Sequence, residues 1–119
     1  MKIAIPVDDK SEGTRVSLSF GRAPYYLIHD TETEKSEWVE NTAAQSAGGA
    51  GIRAAQILVD QKTEILLSPR LGQNAADFLL EAGVRIFKTT DASAADNLRA
   101  YLAGELSPLD EIHAGLHGH

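Results

Sequence analysis

A glycine-rich turn is the first stretch of this chain with residues suited to ligand chemistry. In QSAGGAGIRAAQ, residues 45–56, three glycines stand within four positions and a helix-like pattern follows directly. Gly48, Gly49 and Gly51 would let the backbone approach a ligand, and the first N–H groups of the helix would favour an anion there. The spacing matches neither G-x-G-x-x-G nor the Walker pattern, so nucleotide binding is not indicated. The alternative is an ordinary flexible turn, because glycine is common in loops.

A second turn, SPRLGQNAA at residues 68–76, also leads into a helical pattern. Arg70 supplies a charge, Gly72 gives access to the backbone, and Asn74 supplies an amide. The alternative is ordinary helix capping by Asn74 or by the turn. Two such turns on the same edge of a sheet would be stronger evidence for a ligand-binding site than one turn alone.

Three arginines lie in or just beyond the loops at one edge of the predicted sheet, the edge to which both glycine turns belong. They do so although the chain has a formal net charge of −6. Because a guanidinium stays charged and is weakly hydrated, Arg22, Arg53 and Arg70 around helix starts would favour a multivalent anion. The alternative is that each arginine pairs with a nearby carboxylate. The candidates for such pairing are Asp8, Asp9 and Glu12.

Three aspartates near strand ends are compatible with a two-metal nuclease site, which needs several converging carboxylates. Asp8 and Asp9 end the first predicted strand, and Asp30 ends the second. The fourth strand, however, ends in Ser-Pro-Arg where another acid would be needed, and Asp30 maps to the opposite edge of the sheet. Solvated turn caps are therefore the favoured interpretation of these acids.

Histidines near the C-terminus are candidate metal ligands. His113, His117 and His119 lie within seven positions, and neutral imidazoles suit zinc, copper or nickel. The alternative is a solvated terminus without function. Because the chain has no cysteine, thiolate nucleophiles, disulfides and cysteine-ligated zinc or iron–sulfur sites are excluded within it.

The composition and length of the chain limit which classes of function remain. A chain of 119 residues with 43% hydrophobic content suits one domain with a real core. The acidic balance argues against nucleic acid or an acidic membrane surface as a partner. The apolar stretch at the N-terminus is too short for a signal peptide, and no run approaches membrane-spanning length, so we expect a cytoplasmic protein.

The periodicity predicts the elements that position these residues. Residues 2–7, 24–30 and 36–41 are predicted strands, the last two forming a hairpin, and residues 64–68 and 84–88 are predicted strands buried on both faces. Three helical faces are predicted: Ile52, Ala55 and Val59; Ala75, Phe78, Leu79 and Ala82; and Ala94, Leu98 and Tyr101. Ser93 with Asp96 forms a capping box for the last helix, and Gly104 ends it.

The resulting order, βββαβαβα, predicts an α/β fold with a five-stranded mixed sheet flanked by helices. If the second strand is antiparallel to the first, every helix begins at one edge, where open α/β sheets usually bind ligands. That edge collects loops 8–23, 42–51, 68–74 and 89–93. Residues 1–106 are predicted to form the domain, and residues 107–119 a flexible tail rich in glycine and histidine.

Several motifs, taken in order, resemble a known family. They are MKIAIPVD, SFGRAPYYLIHD, GGAGIRAAQILVD, LGQNAADFLLEAGVRIF and AADNLRAYLAGEL. Together they cover nearly all of residues 1–106 and are similar to the dinitrogenase iron–molybdenum cofactor biosynthesis family, the group of NifX, NafY and the C-terminal part of NifB. The resemblance implies a ribonuclease H-like motif without nuclease activity, in a protein that binds or carries metal–sulfur cofactors or their precursors.

The short form and the lack of cysteine are most similar to members that hold a molybdenum–copper sulfide cluster without covalent attachment. Such a cluster brings its own sulfides, so the protein would supply cations, N–H donors and an apolar wall. The residues expected to do so are Phe20, Arg22, Gly49, Ala50, Gly51, Arg53, Arg70, Gly72 and Asn74. Many relatives have histidine where this chain has Ser19, and some where it has Gly48, so direct imidazole ligation is not expected at either point.

Three functions follow as expectations. The first is a non-catalytic carrier or storage protein for an anionic metal–sulfur cluster, either molybdenum–copper sulfide or a precursor like the iron–molybdenum cofactor. The second is an interaction module that docks a partner, such as a nucleotide-binding ATPase or a cluster donor protein. The third, a metal-dependent phosphoesterase, depends only on Asp8 and Asp9.

Overall fold

The computed structural model describes residues 1–11, 13–46 and 48–109. Its strands are β1 Lys2–Val7, β2 Tyr25–Asp30, β3 Lys35–Glu40, β4 Ile65–Ser68 and β5 Arg85–Lys88, and its α-helices are α1 Ala50–Asp60, α2 Gln73–Glu81 and α3 Ala94–Leu102. A short 3-10 helix, Thr42–Gln45, lies between β3 and α1. The predicted order βββαβαβα is confirmed, with the 3-10 helix as an addition.

The strands form one sheet in the order β3-β2-β1-β4-β5. β2 is antiparallel to both β1 and β3, whereas β4 is parallel to β1 and β5 is parallel to β4. The helices therefore begin at the edge where β1, β4 and β5 end and β2 starts. This confirms the mixed sheet of a ribonuclease H-like fold, and it places the predicted loops at one edge.

Two apolar clusters cover the two faces of the sheet. One contains Ala4 and Leu66 with residues of α1 and α2, and the other contains Ile3 and Ile5 with residues of α3. β4 is buried throughout its length, as predicted for a strand covered on both faces. The same prediction for β5 is wrong at Arg85 and Lys88, which are exposed, because β5 lies at the end of the sheet order.

Small residues dominate the buried faces of α1 and α2. α1 buries Ala50, Ala54, Ala55 and Leu58, and α2 buries Ala75, Ala76 and Leu79. Ile52 and Ala82, which the periodicity places on the same helical faces as buried residues, are both exposed. A Cβ built on Gly51 would lie 3.5 Å from the Cβ of Ala75, so the two helices approach closely at their starts.

Residues 107–109 cover the outer side of β5. The Lys88 N–H donates to the Ser107 carbonyl at 2.8 Å, and the Leu109 N–H donates to the Ile86 carbonyl at 3.1 Å. Leu109 is buried in the core, so these three residues differ from the sequence prediction, which placed them in the tail. The rest of the predicted tail, residues 110–119, lies outside the described residues. No helix in the described ranges is long and apolar enough to cross a membrane.

Candidate anion-binding site

A concavity of about 630 Å³ lies between the loop that follows β1 and the starts of α1 and α2. We call it the α1–α2 concavity; residues 18–21, 49–52 and 70–75 line it. It includes seven of the nine residues predicted to hold a cofactor: Phe20, Gly49, Ala50, Gly51, Arg70, Gly72 and Asn74. The topology thus brings the two glycine turns together, as their shared edge predicts. Arg22 and Arg53 are not among its lining residues.

Both helices that border this concavity begin without a side-chain cap. The N-cap of α1 is Gly49, with φ at 70°, and the N-cap of α2 is Gly72; neither carries a capping side chain. By contrast, Ser93 at the start of α3 accepts a hydrogen bond from the Asp96 N–H at 3.1 Å. The first N–H groups of α1 and α2 and the positive ends of their dipoles therefore remain available to an anion.

The capping alternative for Asn74 is wrong, because Asn74 lies inside α2 and the N-cap is Gly72. Its amide has no hydrogen-bond partner within the part of the chain that the structure describes. The neighbouring Gln73 instead bonds along the helix to Asp77 at 2.7 Å. The exposed amide of Asn74 is thus a free donor and acceptor beside the start of α2.

Two of the predicted arginines remain available as cations. Arg70 lines the concavity, and the Arg53 Nε lies 4.0 Å from the position that a Cβ on Gly49 would take. Neither has a salt bridge to a carboxylate among the described residues. The alternative of carboxylate pairing is therefore not observed for either of them within those ranges.

Arg22 does not line the concavity and has no salt bridge to a carboxylate among the described residues. Its Nη1 donates to the Ala44 carbonyl at 2.7 Å and to the Ser46 carbonyl at 3.1 Å. The guanidinium therefore binds the segment that leads to α1, and it contacts backbone oxygens instead of the concavity or a carboxylate.

The loop that forms one wall of the concavity is held by buried groups that the sequence analysis missed. Asn41 Nδ2 donates to the carbonyls of Gly21 at 3.0 Å and Ala23 at 2.8 Å, and the Tyr26 hydroxyl donates to the Phe20 carbonyl. Burial raises the pKa of Tyr26, so its hydroxyl stays protonated and remains a donor at neutral pH. The available signal was an asparagine directly after β3, a residue type that often bonds to nearby backbone.

Gly21 is a second missed residue, and it shapes the concavity by its lack of a side chain. A Cβ built there would lie 3.0 Å from both Cα and N of Gly51. This loop, residues 18–24 before β2, which we call the wall loop, therefore packs directly on the first turn of α1. The signal was the glycine between Phe20 and Arg22, but sequence alone does not show which backbone it approaches.

Asp8, Asp9 and Asp30 do not come together as a metal site of the nuclease type in the described part of the chain. Asp9 accepts hydrogen bonds from the Ser11 hydroxyl and from its N–H at 2.9 Å, and these bonds lower the pKa of its carboxyl group. Asp30 lies at the opposite edge, as predicted. Within the described ranges no group of three or more His, Cys, Asp and Glu residues is placed to hold a metal ion. The candidate ligands His113, His117 and His119 lie outside those ranges.

Comparisons with known proteins agree with this architecture. The family model of the dinitrogenase iron–molybdenum cofactor matches residues 1–104. Among curated proteins, none matches the chain. The apo form of the orange protein from Desulfovibrio gigas is 26% identical, with a TM-score of 0.87 over 95% of this chain and 96% of that chain.

Two further solved structures are similar. A NifB-type protein from Thermotoga is 34% identical, with a TM-score of 0.83 over 95% of this chain and 97% of its own. A protein from Methanocaldococcus jannaschii described as a dinitrogenase is 17% identical, with a TM-score of 0.70 over 93% and 96%, and it supports the fold alone. By its match over residues 1–104, the chain belongs to the dinitrogenase iron–molybdenum cofactor family.

Proposed function

We propose that this protein is a non-catalytic carrier that binds an anionic metal–sulfur cluster, without covalent attachment, in the α1–α2 concavity. The observation that carries the proposal is the pair of uncapped helix starts at Gly49 and Gly72, both lining one concavity. Backbone N–H groups and helix dipoles stabilise negative charge, and two of them facing one space suit a multivalent anion. Family membership connects the chain with iron–molybdenum cofactor proteins.

The donor set fits a cluster that brings its own sulfide ligands. The chain has no cysteine, and the described residues hold no cluster of metal-ligating side chains. Sulfides on a molybdenum–copper sulfide cluster, or on a precursor like the iron–molybdenum cofactor, accept hydrogen bonds and need counter-charge. The residues proposed to bind the cargo are Phe20, Gly49, Ala50, Gly51, Arg53, Arg70, Gly72 and Asn74. Copper acquisition by His113, His117 and His119 remains a prediction.

A titration tests the carrier role. Metal-free protein is mixed with tetrathiomolybdate, with and without copper, then desalted and analysed for both metals. We expect new visible absorption bands that elute with the protein at a fixed ratio of molybdenum to copper. No retained metal would overturn the proposal.

A double variant tests the site. Arg53→Gln with Arg70→Gln removes two cations, and we expect at least about a tenfold weaker affinity, since charge-assisted hydrogen bonds are the strong ones. Arg85→Gln, at the far edge of the sheet, removes one charge and serves as the control. Unchanged uptake in the double variant would place the cargo elsewhere.

A docking role is the second candidate, because two large apolar side chains are exposed at the mouth of the concavity. Leu18 is 71% exposed and Ile52 is 42% exposed. Neighbouring exposed apolar residues often mark a protein contact. The partner would be a cluster donor or a nucleotide-binding ATPase. Metal-free protein should then retain one stoichiometric partner from cell extract, and Leu18→Ser with Ile52→Ser should release it.

A further inference from the structure

We propose that Arg22 is a positioning residue, which orders the start of α1 for cargo binding without contacting the cargo. The inference deepens the proposed function and depends on it for the identity of the cargo. It starts from the two hydrogen bonds of Arg22 Nη1, to the carbonyls of Ala44 and Ser46. Both acceptors precede the N-cap Gly49 in the chain, Ser46 by three residues.

Arg22 belongs to the wall loop, and that loop is itself anchored. The Arg22 N–H donates to the Ser19 hydroxyl at 3.2 Å, and the adjacent Gly21 carbonyl accepts from Asn41 Nδ2. The Asn41 Oδ1 in turn accepts from the Ala43 N–H at 3.1 Å, which caps the 3-10 helix. Arg22 and Asn41 therefore tie the wall loop to the segment before α1 from two sides. We call this pair the Arg22–Asn41 clamp.

The segment that the clamp holds needs an anchor. Gly49 is in the left-handed region at φ 70°, Gly48 precedes it, and no side chain caps the helix. Glycine has more accessible backbone conformations than other residues, so ordering such a segment costs more conformational entropy. A helix start that is fixed before binding would not incur this cost when the cargo arrives.

A positioning role differs measurably from a direct charge contact. Arg53 provides the comparison, because it carries the same charge beside Gly49 but has no hydrogen bond from its guanidinium within the described ranges. Replacing either arginine with glutamine removes one positive charge. Only the Arg22 replacement also removes the hydrogen bonds to the segment before α1.

Amide hydrogen exchange on the cargo-free protein tests the clamp. Arg22→Gln should accelerate exchange by about tenfold at residues 53–55, whose N–H groups are the first in α1 to be hydrogen-bonded, beginning with Arg53 N–H to the Gly49 carbonyl. That is the effect expected from losing a charge-assisted hydrogen bond, and Arg53→Gln should not produce it. Exchange in β1 and β4 should stay the same in both variants, which separates local loosening from global unfolding. Equal exchange at residues 53–55 in the two variants would overturn the inference. Because no cargo is present, failure of the proposed function does not affect this result.

Tetrathiomolybdate affinity at two salt concentrations completes the test. We expect Arg22→Gln to weaken binding about tenfold without changing its salt dependence, because no contact charge is lost. Arg53→Gln should weaken binding and also reduce the salt dependence. A reduced salt dependence in Arg22→Gln would show a direct contact and overturn the positioning role. If the wild-type protein binds no tetrathiomolybdate, the proposed function fails, and the exchange experiment still decides whether Arg22 orders α1.

Discussion

Gly21 controls the shape of the candidate site because its backbone packs where no side chain fits. The position that its Cβ would take lies 3.0 Å from Gly51 Cα and N and 3.2 Å from the Ala50 carbonyl carbon. All of these are backbone atoms at the start of α1, so they cannot turn aside as a flexible side chain would. A methyl group there must displace either the wall loop or the helix.

We therefore expect Gly21→Ala to lower the free energy of unfolding by about 1–3 kcal/mol, as overpacking does. Urea denaturation measures the change. Gly13→Ala is the control, because a Cβ at Gly13 has no neighbour within 4 Å. Equal stability of the two variants would contradict the close contact.

The three α-helices differ in how their N-termini are capped. α3 is capped by its own Ser93 side chain, whereas α1 and α2 begin at glycines with no capping side chain. A side-chain cap typically stabilises a helix by about 1 kcal/mol over alanine at the same position, and glycine is only slightly worse than a true cap. The missing side chains therefore cost little stability while leaving the N–H groups of both helices open.

We expect Gly72→Asp to stabilise the protein slightly and to weaken cargo binding. Gly72 has φ −75° and ψ 157°, and a Cβ there meets no neighbour within 4 Å, so the carboxylate can occupy the N-cap. It should add a few tenths of a kcal/mol to the free energy of unfolding and reduce tetrathiomolybdate affinity at least about tenfold. Denaturation and titration measure the two effects.

Ser93→Asp is the matched control, since it places the same charge on the N-cap of α3, which does not line the α1–α2 concavity. The tetrathiomolybdate affinity of Ser93→Asp should remain close to that of the wild type. Equal weakening by both variants would show that added charge anywhere on this edge repels the cargo, and would contradict specific use of the α2 start.

At the scale of the whole molecule, an acidic protein is proposed to hold an anionic cargo. The net charge of −6 opposes the approach of an anion, while the local donors and cations attract it at short range. Salt screens separated charges more than close contacts. Local geometry, not overall charge, must therefore provide the affinity.

Acid should destabilise the fold through carboxylates at both edges of the sheet. Hydrogen bonds from Ser11 lower the pKa of Asp9, and a backbone hydrogen bond from Glu32 lowers the pKa of Asp30. A pKa that is lower in the folded state contributes stability above the unfolded value of 3.8, and that stability is lost as the pH falls through the folded value.

We expect the free energy of unfolding to fall as the pH drops below about 4, and to fall less in Asp9→Asn with Asp30→Asn. Urea denaturation at several pH values measures this dependence. The same pH dependence in the double variant would mean that other carboxylates are responsible.

The sequence by itself determined the order of the elements and the edge at which the site lies. Alternating or continuous apolar runs mark β1, β2, β4 and β5, because side chains alternate between the two faces of a strand. Ser93 marks the start of α3 through a local hydrogen bond. Parallel strands joined by crossover helices then place all helix starts on one edge. Seven of the nine predicted cofactor residues line the α1–α2 concavity at that edge.

Only the tertiary structure decided which groups touch. Arg22 bonds to carbonyls more than 20 positions away, and the backbone of Gly21 meets that of Gly51. Ile52 lines the concavity because α1 turns Ala54, Ala55 and Leu58 into the core instead. Residues 107–109 pair with β5 because that strand has a free outer side. Periodicity shows which residues can share a face, but contacts between distant segments depend on how the packed elements approach one another.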